Sequence, residues 1–211
     1  GAYHHIMSRG IRGIDIFSKD ELRNDFIELL DEKSKKLKIR LLAYCIMSNH
    51  YHLVLQNSTD KLSQFMKELN GHYGMHYRSR EGGKGHVFQS RYKSTLIQEG
   101  GYLHMAIAYV LLNPLRAGIV ENPYEYRWSS IGEYYTSGNG IVDSGFVEDI
   151  FQSRKVMNGF LEDWSHKELP IRSTRFGKLV CDEGYISNTV EKFDRRNKNK
   201  RTKRRRKDDY V

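Results

Sequence analysis

The chain is poor in cysteine and proline. Of its 211 residues only Cys45 and Cys181 are cysteine, and they form no CxxC pair. That excludes a disulfide scaffold and a cysteine-ligated zinc site, and it suits a reducing cytoplasm. Three prolines and 18 glycines exclude collagen-like and proline-rich architectures. No apolar run approaches the ~18 residues of a membrane span. The opening GAYHHIMSRG holds no signal-peptide core, and its lack of methionine reads as a trimmed start. No Walker motif is visible. His72 and His76 stand four apart without the glutamate of an HExxH helix.

Apolar and aromatic residues are plentiful enough for one packed domain with an appendage. The formal charge of +9 is concentrated at one end. Residues 195–207 (RRNKNKRTKRRRK) hold ten Lys/Arg and no acid; with Asp208 and Asp209, residues 195–211 carry +8 and residues 1–194 only +1. A run of like charge repels itself and buries nothing, so it reads as a mobile arm suited to phosphate contact, or as a merely solvating tail. It cannot specify a base sequence.

Periodicity divides the rest. Residues 3–8 read as a strand, with turns at Arg9-Gly10 and Arg12-Gly13. Ser18 reads as an N-cap, and a helical stripe runs from Phe26 to about Lys36. Residues 39–47 are a continuous apolar strand, Ser48-Asn49 a tight turn, and 50–56 its hairpin partner. Asp60 caps a second helix carrying Leu62, Phe65, Met66, Leu69 and Tyr73 on one face. A glycine-rich loop at 80–85 and a strand within 87–97 follow. Gly100-Gly101 breaks that strand, and Tyr102 to Asn113 reads as a third helix, stopped by Pro114 and Gly118. Trp128-Ser129-Ser130 starts a short helix, 137–140 is a linker-like break, and 143–165 reads as two short helices. The order β-α-β-β-α-β predicts an α+β, ferredoxin-like antiparallel sheet with helices on one face, plus a C-terminal helical extension. The expected divisions are 1–140, 141–194 and the tail 195–211.

The sharpest chemical feature is Asn49-His50-Tyr51-His52. Side chains alternate along a strand, so His50 and His52 share a face, about 6–7 Å apart, and Tyr51 takes the other. Two imidazoles so placed converge on a metal ion or satisfy each other in a polar patch; their apolar flanks make burial without partners costly. Tyr109 and Asn113 are four apart on the third helix, hence on one face. Tyr109 also reads as a core tyrosine, and Asn113 as a helix terminator. Tyr73, Tyr77, Arg78, Arg80, Lys84, Arg91, Tyr92 and Lys93 form a stacking and cationic cluster suited to single-stranded nucleic acid, with Arg9 and Arg12 similar candidates. On the same helix Tyr73 and Tyr77 also fit a core, and the cations a solvated surface. His4, His5, His72, His76, His86 and His104 read as ordinary histidines, and Cys45 as core.

These segments resemble a known family. Tyr3-His4 with Ser8-Arg9-Gly10, then Met47 to Val54 (MSNHYHLV), Phe88 to Tyr92 (FQSRY), Tyr109 to Val120 (YVLLNPLRAGIV) and Trp128-Ser129-Ser130 are similar, in that order, to the single-tyrosine His-hydrophobe-His (IS200-like) transposases. The match is nearest to the REP-associated tyrosine transposases. The resemblance spans roughly residues 3–135. The start and the region after Gly140 depart from the pattern, which touches substrate recognition more than chemistry.

The resemblance implies a metal-dependent endonuclease and strand transferase acting on single-stranded DNA beside palindromic hairpins. His50 and His52 then correspond to the metal pair, Asn113 to a third ligand, Tyr109 to the nucleophile and Arg116 to a DNA contact. The cofactor would be Mg²⁺ or Mn²⁺, with imidazole ligation favouring Mn²⁺. A phenol is protonated at neutral pH, so its attack needs a cation or base; the product would be a 5′-phosphotyrosine and a free 3′ hydroxyl. Related enzymes include dimers that share active sites, while REP-associated ones act alone, so a homodimer stays open. Two other readings compete: a non-catalytic nucleic-acid-binding module, and a metal-dependent phosphodiesterase using water.

Overall fold

A computed structural model of the chain describes residues 1–136, 140–174 and 177–186. The basic tail at 195–211, and most of the linker read at 137–140, lie outside the described residues. Six strands form one sheet in the order β2-β3-β1-β4-β6-β5. They are β1 (Ala2–Arg9), β2 (Ile39–Ile46), β3 (His50–Asn57), β4 (Lys93–Ile97), β5 (Ile171–Thr174) and β6 (Gly177–Val180). The helices are α1 (Asp20–Leu37), α2 (Leu62–Glu81), α3 (Gly101–Leu111), α4 (Asn113–Arg116), α5 (Ser144–Phe151) and α6 (Arg154–Trp164).

The four strands β2-β3-β1-β4 pair antiparallel throughout, and with α1 and α2 they make the expected split unit. Its two helices share one face, as anticipated. The other face is not bare, because α3 lies across it. The 141–194 extension supplies α5 and α6 but is not wholly helical: β6 joins β4 in parallel, and β5 pairs antiparallel with β6.

Strand β3 shows why the faces differ. Tyr51, Leu53 and Leu55 are buried and turn toward α1 and α2. Tyr51 packs on Phe26 with ring centroids 4.6 Å apart and donates its hydroxyl to Asn70 Oδ1 at 2.6 Å. Phe17 and Tyr73 complete the cluster, and Tyr73 donates to the Ile16 carbonyl. His50 and His52 alternate to the opposite face. The register Met7↔His52 and His5↔Val54 puts His5, Met7 and Arg9 on that same face.

Three local expectations are corrected. Ser18 and Asp60 are not N-caps: Lys19 and Lys61 hold those positions without a side-chain bond. Acidic Asp20 and Glu21 in the first turn of α1 serve its N-terminal dipole instead. Asp60 takes a left-handed φ of 56° in the turn before α2. Pro114 does not stop the helical path; α3 ends at Leu111, and Pro114 sits in the first turn of α4, where its missing N–H costs little.

The outer edge of β2 is covered rather than open. Ile46 N donates to the Trp128 carbonyl at 2.9 Å, and Asp143 N to the Leu41 carbonyl at 2.9 Å. Tyr44 N donates to Ser130 Oγ at 3.0 Å. The Trp-Ser-Ser segment thus occupies hydrogen-bonding groups that would otherwise recruit another strand.

The cluster under β3 predicts two stability effects. Phe26→Ala should cost about 3–5 kcal/mol in urea unfolding. Tyr51→Phe, which leaves Asn70 Oδ1 without its donor, should cost about 1–2 kcal/mol. Equal small losses in both would refute this packing.

Candidate active site

On the face under α3, the imidazole pair is real and a third ring joins it. The His50 and His52 ring centroids are 5.0 Å apart, nearly perpendicular. His5, from β1, lies edge to edge with His52, ring centroids 5.1 Å apart and the planes 16° from parallel, with His5 Nε2 and His52 Nδ1 2.9 Å apart. His50 Nδ1 donates to Asn49 Oδ1 at 2.7 Å. In both rings of the pair the partner sits on Nδ1, so Nε2 is the nitrogen left for another ligand. That is how metal-binding histidines are usually held.

Burial keeps these rings neutral. His52 is driven well below the ordinary histidine value by desolvation, then by its His5 and His50 neighbours. His50 is lowered by burial and next by the Arg9 guanidinium. Burial takes His5 down to about 4. Neutral imidazole is the ligating form.

Tyr109 descends onto this face from α3. Its ring centroid lies 5.8 Å from that of His52 and 5.6 Å from that of His5, both near perpendicular. Leu103, Ala106, Ile107 and Val110 bury the other sides of α3, which fixes the rotation that aims Tyr109 at the histidines. Although Leu112 separates α3 from α4, Tyr109 and Asn113 line one open cleft of about 380 Å³ with Arg116 and Glu168. Two imidazoles and an amide can hold a divalent cation. Among the described residues no group of three or more His, Cys, Asp or Glu is so placed.

The expected DNA contacts scatter. Arg9 pairs with His50 across the β1–β3 ladder, and Lys93 stands opposite Met7 on the same face. Arg116 is turned inward: its guanidinium carbon lies 5.0 Å from the centre of the Tyr109 ring, and it donates to the Trp164 carbonyl at 2.9 Å. Arg80 is tied to Asp25 at 2.5 and 2.9 Å. Arg12 and Lys84 are exposed. Tyr73 is core, which removes it from the stacking platform, and the half-buried Tyr77 packs against it.

Arg78, Arg91 and Tyr92 do meet. With Lys67, His86 and Phe88 they line a groove of about 1220 Å³ between α2 and the segment before β4. Lys67 and His86 were not anticipated as contacts; the helical spacing of Lys67, Gly71, Gly74 and Arg78 was the available signal. His5 was missed because nothing in the His4-His5 doublet tells which ring faces the pair until the register is known.

The β2-β3-β1-β4 part of the sheet thus carries helices on both faces and an imidazole–phenol cluster on one. The chain belongs to the IS200-like transposase family, whose model matches residues 1–112. The REP-associated tyrosine transposase bound to a REP hairpin shares the fold at a TM-score of 0.53 and 15% identity, over 70% of this chain and 87% of that one. A protein described as a transposase from Deinococcus radiodurans R1 overlaps at a TM-score of 0.38 and 19% identity, over 56% and 85% of the two chains, which carries no argument. No curated protein matches the sequence. No described helix is long and apolar enough to cross a membrane.

Burial of neutral histidines makes the fold sensitive to acid. His4 and His5 are both lowered to about 4 by desolvation, against ~6.5 unfolded. The unfolded chain therefore binds protons that the folded chain refuses. Stability is fully present above pH ~6.5 and falls as pH drops toward 4, by up to about 1.4 kcal/mol per pH unit for each ring. Denaturation series at pH 7 and pH 5 should show this, and His4→Gln should flatten the slope.

Proposed function

We propose that the chain nicks and rejoins single-stranded DNA beside a hairpin through a covalent tyrosine intermediate. The observation that carries this reading is the 5.8 Å approach of the Tyr109 ring to His52 within one chain. No second subunit is needed to bring phenol and imidazoles together. Membership of the transposase family supports it, as does the likeness in fold to a relative held on a REP hairpin.

Each residue then has a task. A divalent cation, Mg²⁺ or Mn²⁺, held by His50, His52 and Asn113 would neutralise the non-bridging oxygens of the target phosphate. Neutral rings leave that charge undiminished, which the dry sheet face favours. Arg116, packed on Tyr109, holds the phenol ring and adds positive charge beside the phosphate. The Tyr109 oxygen bonds to phosphorus as the bond from phosphorus to the 3′ oxygen breaks. The phenol gives up its proton and the 3′ oxygen gains one, leaving a 5′-phosphotyrosine and a 3′ hydroxyl. Attack by a 3′ hydroxyl reverses the step and rejoins DNA without nucleotide hydrolysis.

The groove lined by Lys67, Arg78, His86 and Arg91 suits the DNA backbone, with Phe88 and Tyr92 as surfaces for bases. The Gly10↔Phe88 bridge and the bond from Gln89 N to the Arg9 carbonyl at 2.9 Å tie its wall to the end of the sheet where His50 lies. A strand held there would be led toward the histidines.

Two measurements test the reading. With hairpin-bearing single-stranded DNA and Mn²⁺, a denaturing gel should show a protein–DNA adduct. Tyr109→Phe should abolish it, and His52→Ala should reduce it at least ~100-fold. A wild-type chain that binds DNA and forms no adduct would favour a binding module; hydrolysed DNA without adduct would favour attack by water. Separately, Arg78→Ala and Arg91→Ala should each weaken hairpin binding and lower the salt slope by about 0.7. Unchanged slopes would remove the groove from the substrate path.

A further inference from the structure

The geometry points to His5 as a positioning residue that decides which nitrogen of His52 is free for a cation, an inference that rests on the metal reading above. A neutral imidazole carries its proton on one nitrogen and its lone pair on the other, and it ligates only through the lone pair.

For His50 the choice is made by its neighbour. Asn49 Nδ2 donates to the Gly13 carbonyl at 3.3 Å, which turns Asn49 Oδ1 toward His50 Nδ1 at 2.7 Å. A carbonyl oxygen only accepts, so His50 is protonated on Nδ1 and keeps its lone pair on Nε2.

For His52 the partner is another imidazole, and the 2.9 Å contact between His5 Nε2 and His52 Nδ1 admits two arrangements. If His5 donates, the His52 lone pair is used at Nδ1, and Nε2 holds a proton and cannot ligate. If His5 accepts, both His50 and His52 present Nε2 lone pairs on one sheet face. Only the second makes a matched pair, and it is the state a cation selects. The His5 ring is fixed in place beside His52. Only 7% of it is exposed, it lies edge to edge with His52 with 16° between the planes, and the edge of the Tyr109 ring closes against it at 74°. Its place across from Val54 makes it the diagonal neighbour of His52, within reach across adjacent strands. The 47 residues separating the two rings hide the partnership from any local motif.

The test reads the proton directly. Long-range ¹H–¹⁵N spectra of the metal-free chain should show His52 protonated on Nδ1. His5→Gln, whose amide oxygen can accept in the same place, should keep that state and bind Mn²⁺ nearly as wild type does. His5→Leu, which removes the acceptor, should shift His52 toward Nε2–H and weaken Mn²⁺ binding roughly 10–100-fold. Circular dichroism and thermal melting establish that each variant is folded. Wild-type His52 protonated on Nε2, or a folded His5→Leu chain with wild-type Mn²⁺ affinity, overturns the inference. The wild-type spectrum decides it even if His5→Leu does not fold. A wild-type chain with Nδ1–H at His52 that takes no Mn²⁺ rejects the metal reading and leaves His5 as the group that orients His52.

Discussion

The site depends on the pleat of β3 and on the ring wedged into the core between its two histidines. Tyr51 is wholly buried against Phe17, Phe26 and Phe88, and its hydroxyl is bound to Asn70. Because the strand repeats every two residues, seating Tyr51 under α1 and α2 forces His50 and His52 out on the opposite side. A slip of one residue would bury the imidazoles among phenylalanines and expose the tyrosine. The aromatic cluster is therefore remote from the chemistry and yet sets its direction.

Desolvation then gives the rings their character. His5 and His52 lie between the sheet and α3 with little water access, so all three rings of the cluster are held uncharged. Uncharged rings still need hydrogen-bond partners, and these come from His5 and Asn49. Most of the basic groups expected near DNA answer to other demands. Arg80 is paired with Asp25, and Arg116 is spent on Tyr109 and Trp164. The cations left lining the groove are Lys67, Arg78 and Arg91, with the His86 ring beside them.

The C-terminal extension is coupled to the site through α3. His104 lies with one ring nitrogen 3.0 Å from the Gly100 carbonyl and the other 2.8 Å from that of Ile150. Its ring packs on Phe151 and Phe160. With the Arg116–Trp164 bond, this clamps both ends of the tyrosine-bearing segment to α5 and α6. The Trp-Ser-Ser motif, unexplained by spacing alone, likewise has a structural use, since its backbone and Ser130 cover the free edge of β2.

What was legible in the chain was whatever short-range periodicity encodes: six elements in β-α-β-β-α-β order, two imidazoles on one strand face, and Tyr109 and Asn113 one helical turn apart. Those follow from the 2.0 and 3.6 repeats, which act over a few residues. Helix ends were misplaced by a residue or two, because Ser18 and Asp60 carry cap-forming side chains that the backbone does not use. His5, the inward turn of Arg116, the second covered face and strands β5 and β6 could not be read. Each depends on which strand lies beside which, and in what register. The sequence alone determined which residues share a local face; only the tertiary structure decided which faces meet, because pairing energy is shared among segments dozens of residues apart.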